Sequence, residues 1–166
     1  MVAFTAIRPG RNRRFPLREY SKADKTMNYD SYIRQAYRDL QEPDYGFVRE
    51  ALDAGRYDDI RPGLTTVGFS VVDDTEPNTD VCRTLIVGKD DFQAAVKLSF
   101  AGPFAAVFRL QGTNEHLQRI ISLLADRGMS VLTDDVLSQA YEISLLDLDE
   151  PPTVYNALFS TDPMPS

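Results

Sequence analysis

Residues 92–110 read FQAAVKLSFAGPFAAVFRL, and the fold turns on how this stretch is read. Phe92, Ala94, Val96, Leu98 and Phe100 alternate with Gln93, Ala95, Lys97 and Ser99. After Ala101-Gly102-Pro103 the alternation resumes with Phe104, Ala106, Phe108 and Leu110. Period two is the spacing of side chains along one face of a strand. Two such runs parted by a Gly-containing turn predict a β-hairpin whose Phe-rich apolar face floors the core.

Upstream, Val81–Val87 predicts a strand ending at Gly88, preceded by a polar loop from Asp73 to Asp80. Val67, Phe69 and Val71 alternate with Thr66, Gly68 and Ser70, which predicts a half-buried strand after an Arg61-Pro62-Gly63 turn. Nearer the N-terminus, Tyr29, Tyr32, Ile33, Ala36, Tyr37 and Leu40 lie on one helical face, with Pro43 beyond. Phe47, Val48, Ala51 and Leu52 follow as a second helix with Gly55 past its end, so the two make a helical hairpin.

Downstream, Leu117, Ile120, Ile121 and Leu124 stripe a helix from Asn114 through Asp126, with Gly128 at its stop. A short strand at 130–132, a helical turn through Leu137 and an edge strand of Tyr141, Ile143 and Leu145 are expected next. Val154, Tyr155, Leu158 and Phe159 have the spacing of a terminal helix. This order lacks the βαβ alternation of a parallel fold. It predicts an α+β class: a mostly antiparallel sheet of about five strands, covered on one face by helices, with an N-terminal helical hairpin, in a single domain over 27–166.

The chain has 166 residues, one Cys, one His, no Trp and a formal net charge of −7. One thiol makes no internal disulfide, and one Cys with one His makes no soft metal cage. No apolar run reaches membrane-spanning length and no signal-peptide core opens the chain, so a cytoplasmic protein is expected. The charge is split. Seven basic residues (Arg8, Arg11, Arg13, Arg14, Arg18, Lys22 and Lys25) against Glu19 and Asp24 give residues 1–26 a charge of +5. The remaining 11 basic and 23 acidic residues give the body −12. Residues 1–26 read as a poorly ordered basic arm that touches nucleic acid, docks on an acidic body, or is an extension upstream of Met27. The body's own charge repels a phosphate backbone.

Catalytic signatures are sparse. Neither a phosphate-binding glycine loop nor a Gly-x-Ser-x-Gly elbow is present. His116 lies beside the apolar stripe of its helix, at a rim position, and Cys82 begins a buried strand as a small core residue. Asp58-Asp59, Asp73-Asp74, Asp90-Asp91 and Asp134-Asp135 are paired carboxylates of the kind that hold divalent cations or divide acid and base roles. Adjacent pairs in turns and at helix starts also serve as caps, and the 73–80 loop lacks the Gly and closing Glu of a calcium loop. No metal or cofactor is therefore expected. Tyr29, Tyr32, Tyr37 and Tyr45 form an aromatic group at a helix rim.

What remains is acidic surface, which steers a basic protein partner toward it. In size, charge and class the chain resembles the small acidic α+β immunity proteins that neutralise bacterial toxins. No motif carries that likeness, and no residue role follows from it. The expected function is a non-enzymatic protein-binding module, with Asp73, Asp74, Glu76 and Asp80 in one segment and Asp147, Asp149 and Glu150 in another as contact residues. The alternatives are a small carboxylate- or metal-dependent hydrolase and a structural homodimer.

Overall fold

A computed structural model describes residues 29–146 and 148–166. The basic segment 1–26 and Asp147 lie outside the described residues. Helices α1 (Tyr29–Tyr37), α2 (Gly46–Asp53) and α3 (Ile60–Thr66) precede strands β1 (Ser70–Asp73), β2 (Cys82–Lys89), β3 (Phe92–Ser99) and β4 (Phe104–Gln111). Then come α4 (Asn114–Asp126), β5 (Ser130–Val131), α5 (Asp134–Leu137) and α6 (Val154–Leu158). The five strands lie in sequence order. All pairs are antiparallel except β4–β5, which is parallel. The α+β class, the mostly antiparallel five-stranded sheet and the N-terminal helical hairpin are as expected.

The cover differs from expectation, because helices pack on both faces of the sheet. The register pairs Leu98 with Ala105 and Val96 with Val107. Even-numbered residues of β3 thus share a face with odd-numbered residues of β4. The two phenylalanine-bearing rows therefore point in opposite directions. Phe92, Ala94, Val96 and Leu98 join Leu85, Val87 and Ala105 beneath Ile60 and Leu64 of α3 and Ile120 and Leu124 of α4. Phe104, Ala106 and Phe108 join Cys82 and Ala95 beneath Ile33 and Tyr37 of α1, Leu137 of α5 and the whole apolar side of α6. Every residue of β3 from Ala94 to Ser99 is buried. Ala95 and Ser99 are small intervening residues that leave room for a helical layer to close on that side as well.

Two local expectations change. The 61–63 segment is helical, because Pro62 sits in the first turn of α3, where its missing N–H has no carbonyl to meet. Thr65 and Thr66 donate their hydroxyls back to the Arg61 and Pro62 carbonyls, and β1 starts only at Ser70. The 141–145 segment is no strand of the sheet. The isolated bridge nearby, Ala140 to Thr153, lies just before it, and within it Ser144 N donates to Leu40 O. Its buried Ile143 packs in the core beside α1 and α6, so alternation here reflects docking on helices rather than strand pairing.

The hairpin turn is as tightly placed as the strands. Arg56 donates to Phe100 O, and the Tyr57 hydroxyl donates to Ser99 O and Gly102 O. A Cβ at Gly102 would lie 2.8 Å from the rings of Phe104 and Tyr32, so only glycine fits this close approach.

Ala105 and Ala106 are both fully buried, on opposite faces. Ala105→Asp and Ala106→Asp are each expected to lower unfolding free energy by about 3 kcal/mol or more in denaturant titrations. Tolerance of either one would mean that its face is open to water.

Candidate functional site

The loop between β1 and β2 is built by its own carboxylates. Asp73 Oδ1 accepts from Thr75 N at 3.0 Å and from Thr75 Oγ1 at 2.6 Å, closing a turn in which the side chain replaces a backbone acceptor. Arg83 donates to Asp73 Oδ2 at 3.1 Å and also reaches Asp58 at 3.2 Å. Thr75 Oγ1 accepts from Thr84 N, and Asp74 N donates to Thr84 O, which ties the loop to β2. Partial burial works to raise the pKa of Asp73. The Thr75 hydrogen bonds and the Arg83 guanidinium outweigh it and hold the carboxyl below its ordinary range.

At the far end of the loop Asp80 turns inward. It is 5% exposed and meets Lys97 of β3, itself 7% exposed, at 3.7 Å. Thr84 bridges them: Lys97 Nζ donates to Thr84 Oγ1 at 3.0 Å, and Thr84 Oγ1 donates to Asp80 Oδ2 at 2.8 Å. Asp80 Oδ2 also accepts from Glu76 N at 3.0 Å, so one buried carboxylate fastens the loop to the sheet. The C-terminal segment is stitched to the same place by Val81 N to Phe159 O and by Thr161 N to Thr79 O. Asp80 is thus withdrawn from the exposed acidic set to which sequence reasoning assigned it.

The remaining expected residues divide clearly. Asp74, Glu76, Asp149 and Glu150 are exposed and make no ion pair among the described residues. Asp73 stands at the surface with its charge met by Arg83. Two clefts open on either side of Asn156 and Thr161, which line both. One, of about 460 Å³, lies between α2, residues 77–81 and Leu145-Leu146. The other, of about 670 Å³, lies under the C-terminal segment and includes Asp149, Glu150, Tyr155 and Asp162.

His116 rests between the rings of Phe69 and Phe92, with centroids 5.9 and 5.3 Å away, and forms no ion pair among the described residues. Its Nδ1 is shielded and without a hydrogen-bond partner there. Cys82 is buried, and burial pushes its thiol up to about 12, so it stays protonated as a core residue. Asp58 and Asp59 are engaged by Arg83 and Arg127 respectively. Among the described residues no group of three or more His, Cys, Asp or Glu has the geometry to hold a metal ion, and no helix is long and apolar enough to cross a membrane.

Sequence reasoning missed Lys97 and Tyr155. A lysine in the middle of an apolar run was the available signal for the first, but its partner lies 17 positions upstream on a loop whose path the sequence does not reveal. Comparison with family models, with curated proteins and with solved structures returns no match.

Breaking the buried pair from one side leaves an uncompensated charge. Lys97→Met and Asp80→Asn are each expected to cost about 3–5 kcal/mol, and Lys97→Met/Asp80→Asn less than the sum, in a double-mutant cycle read by denaturant unfolding. The Asp73 carboxyl has a depressed folded-state pKa, so its contribution to stability is present above the unfolded-chain value and fades as pH falls through the folded one. Thr75→Val is expected to raise the Asp73 midpoint in an NMR carboxyl titration and to move the onset of acid unfolding to higher pH.

Proposed function

We propose that this protein is a non-enzymatic binding module that offers an acidic, preorganised face to a basic protein partner, in the manner of an immunity protein. The observation that carries this reading is the contrast between two sets of carboxylates. Asp73 and Asp80 are spent on bracing the loop, through Arg83 and Lys97. Asp74 and Glu76, on that same loop, stay exposed and unpaired among the described residues, as do Asp149 and Glu150 near the C-terminus. A loop held in one shape binds with less ordering cost, and unpaired charge on it accelerates encounter with an oppositely charged surface.

The electrostatics support binding over acid–base chemistry. A general-acid carboxyl needs a raised pKa. Among the described residues, the two aspartates whose titration is displaced move the other way. Asp30 is lowered chiefly by the Tyr141 hydrogen bond. Asp73 is lowered by hydrogen bonds and Arg83 that overcome its burial. The displaced tyrosines, Tyr29, Tyr37, Tyr57, Tyr141 and Tyr155, are all raised, above all by burial, which keeps them neutral.

The full chain, immobilised and exposed to lysate of its host, is expected to retain a basic protein at low ionic strength. About 0.5 M salt, where screening acts over a few Å, is expected to release it. The quadruple variant Asp74→Asn/Glu76→Gln/Asp149→Asn/Glu150→Gln is expected to retain none. Capture indifferent to both salt and the four substitutions, or no capture, rejects the reading.

A further inference from the structure

We propose that the chain's own segment 13–18, Arg-Arg-Phe-Pro-Leu-Arg, occupies the 460 Å³ cleft between α2, residues 77–81 and Leu145-Leu146, with Phe15 and Leu17 on its apolar wall and the arginines among the carboxylates around it. The segment lies outside the described residues. Its docking goes beyond the acidic-face reading and does not depend on it. Tyr45, Val48, Leu52, Pro77, Leu145 and Leu146 make the cleft largely apolar. Leu146 is 70% exposed and Leu52 39%, two of the five large hydrophobic residues exposed among the described residues. Apolar surface gathered at a cleft marks a site that something covers, and a partner steered by charge alone leaves it unexplained.

Three properties select this occupant. The first is charge. Asp53 in this cleft and Asp149, Glu150 and Asp162 in the adjoining one are exposed and without an ion pair among the described residues, against one guanidinium, Arg49. Arg13, Arg14 and Arg18 bring the opposite sign and bracket two apolar side chains. The second is reach. Tyr29, the first described residue, donates its hydroxyl to the Gln139 side chain, next to Ser138 of the adjoining cleft. Tyr141 donates to Asp30, and Leu145 of the proposed site lies at most about 14 Å of chain beyond it. Residues 18–28 span up to about 36 Å, ample for that distance. On so short a tether the segment meets the cleft at an effective concentration on the order of mM, which favours it over a free ligand of equal affinity. The third is shape. Pro16 fixes its own φ and favours extended backbone at Phe15, and along an extended run residues two apart share a face. Phe15 and Leu17 then enter the cleft together, with the arginines at its mouth.

The test uses the full chain with a nitroxide on Ser21→Cys; Cys82 is fully buried and takes no label. The amide resonances of Val48, Leu52, Leu145 and Leu146 are expected to broaden. Labelled chain of natural isotope abundance, mixed with isotope-enriched chain that carries no label, is expected to broaden none. Phe15→Ser/Leu17→Ser is expected to weaken the docking equilibrium about tenfold or more, as the loss of two buried apolar side chains requires. Leu52→Ser/Leu146→Ser, at two exposed positions where the fold is expected to stand, is expected to do the same. About 0.5 M salt is expected to reduce the broadening without abolishing it, since screening acts on the arginines and not on the apolar contact. Broadening absent from the cleft, or spread evenly over the acidic surface, overturns the proposal. Indifference to either pair of substitutions, or complete loss of broadening in salt, overturns it as well, because charge alone then holds the segment. Broadening in the mixed sample assigns the cleft to a second copy and rejects docking within the chain. No partner enters this measurement, so it and the capture experiment fail independently.

Discussion

The structure depends on burying β3 from both sides. Ala94 through Ser99 are all out of water, which a sheet covered on one face does not allow. Each of the two apolar rows needs its own helical lid, and each lid combines helices that precede the strands β1–β4 with helices that follow them. α3 and α4 close one side, and α1, α5 and α6 close the other. The first helix, α1, and the last, α6, pack on the same face.

That burial also creates the chemistry of the acidic loop. Lys97 sits in the middle of the strand, opposite Thr84 on one side and Ala106 on the other, so its ammonium has nowhere to go but the interior. A buried cation without a counter-charge is untenable, and Asp80 with Thr84 answers it. Asp80 drags the end of the β1–β2 loop inward and takes the Glu76 amide with it. At the other end Asp73 closes a turn and holds Arg83. The loop's shape is therefore an electrostatic consequence of a strand that had to be buried.

The same economy separates structural from functional charge. Carboxylates that meet a guanidinium or ammonium serve the fold, and their titration, where displaced, moves downward. Those left without a cation among the described residues lie at the surface, Asp74 and Glu76 on the braced loop and Asp149 and Glu150 near the C-terminus among them. Surface charge that brings no stability to its own chain is the kind that a partner uses.

Much of the architecture was legible in the chain alone. The hairpin of 92–110, the helix of 114–126, the terminal helix near Val154–Phe159 and the α+β class follow from spacing, because period two and period 3.6 are local properties. Alternation alone did not say which face each row occupies, since the β3–β4 register and turn decide that, and one residue of slip exchanges the faces. For the same reason Asp80 read as an exposed contact residue and Lys97 as one of the residues alternating with the apolar row: each is polar locally, and only the packing of distant elements puts them in contact. Tyr141–Leu145 alternated like a strand but docked on helices, and Pro62 looked like a turn until its place in a first helical turn was known. The carboxylates Asp74, Glu76, Asp149 and Glu150 were visible as an acidic surface from composition. Their sorting from Asp73 and Asp80 arises from tertiary contacts. Pairing is a matter of distances in space, which no spacing along the chain encodes.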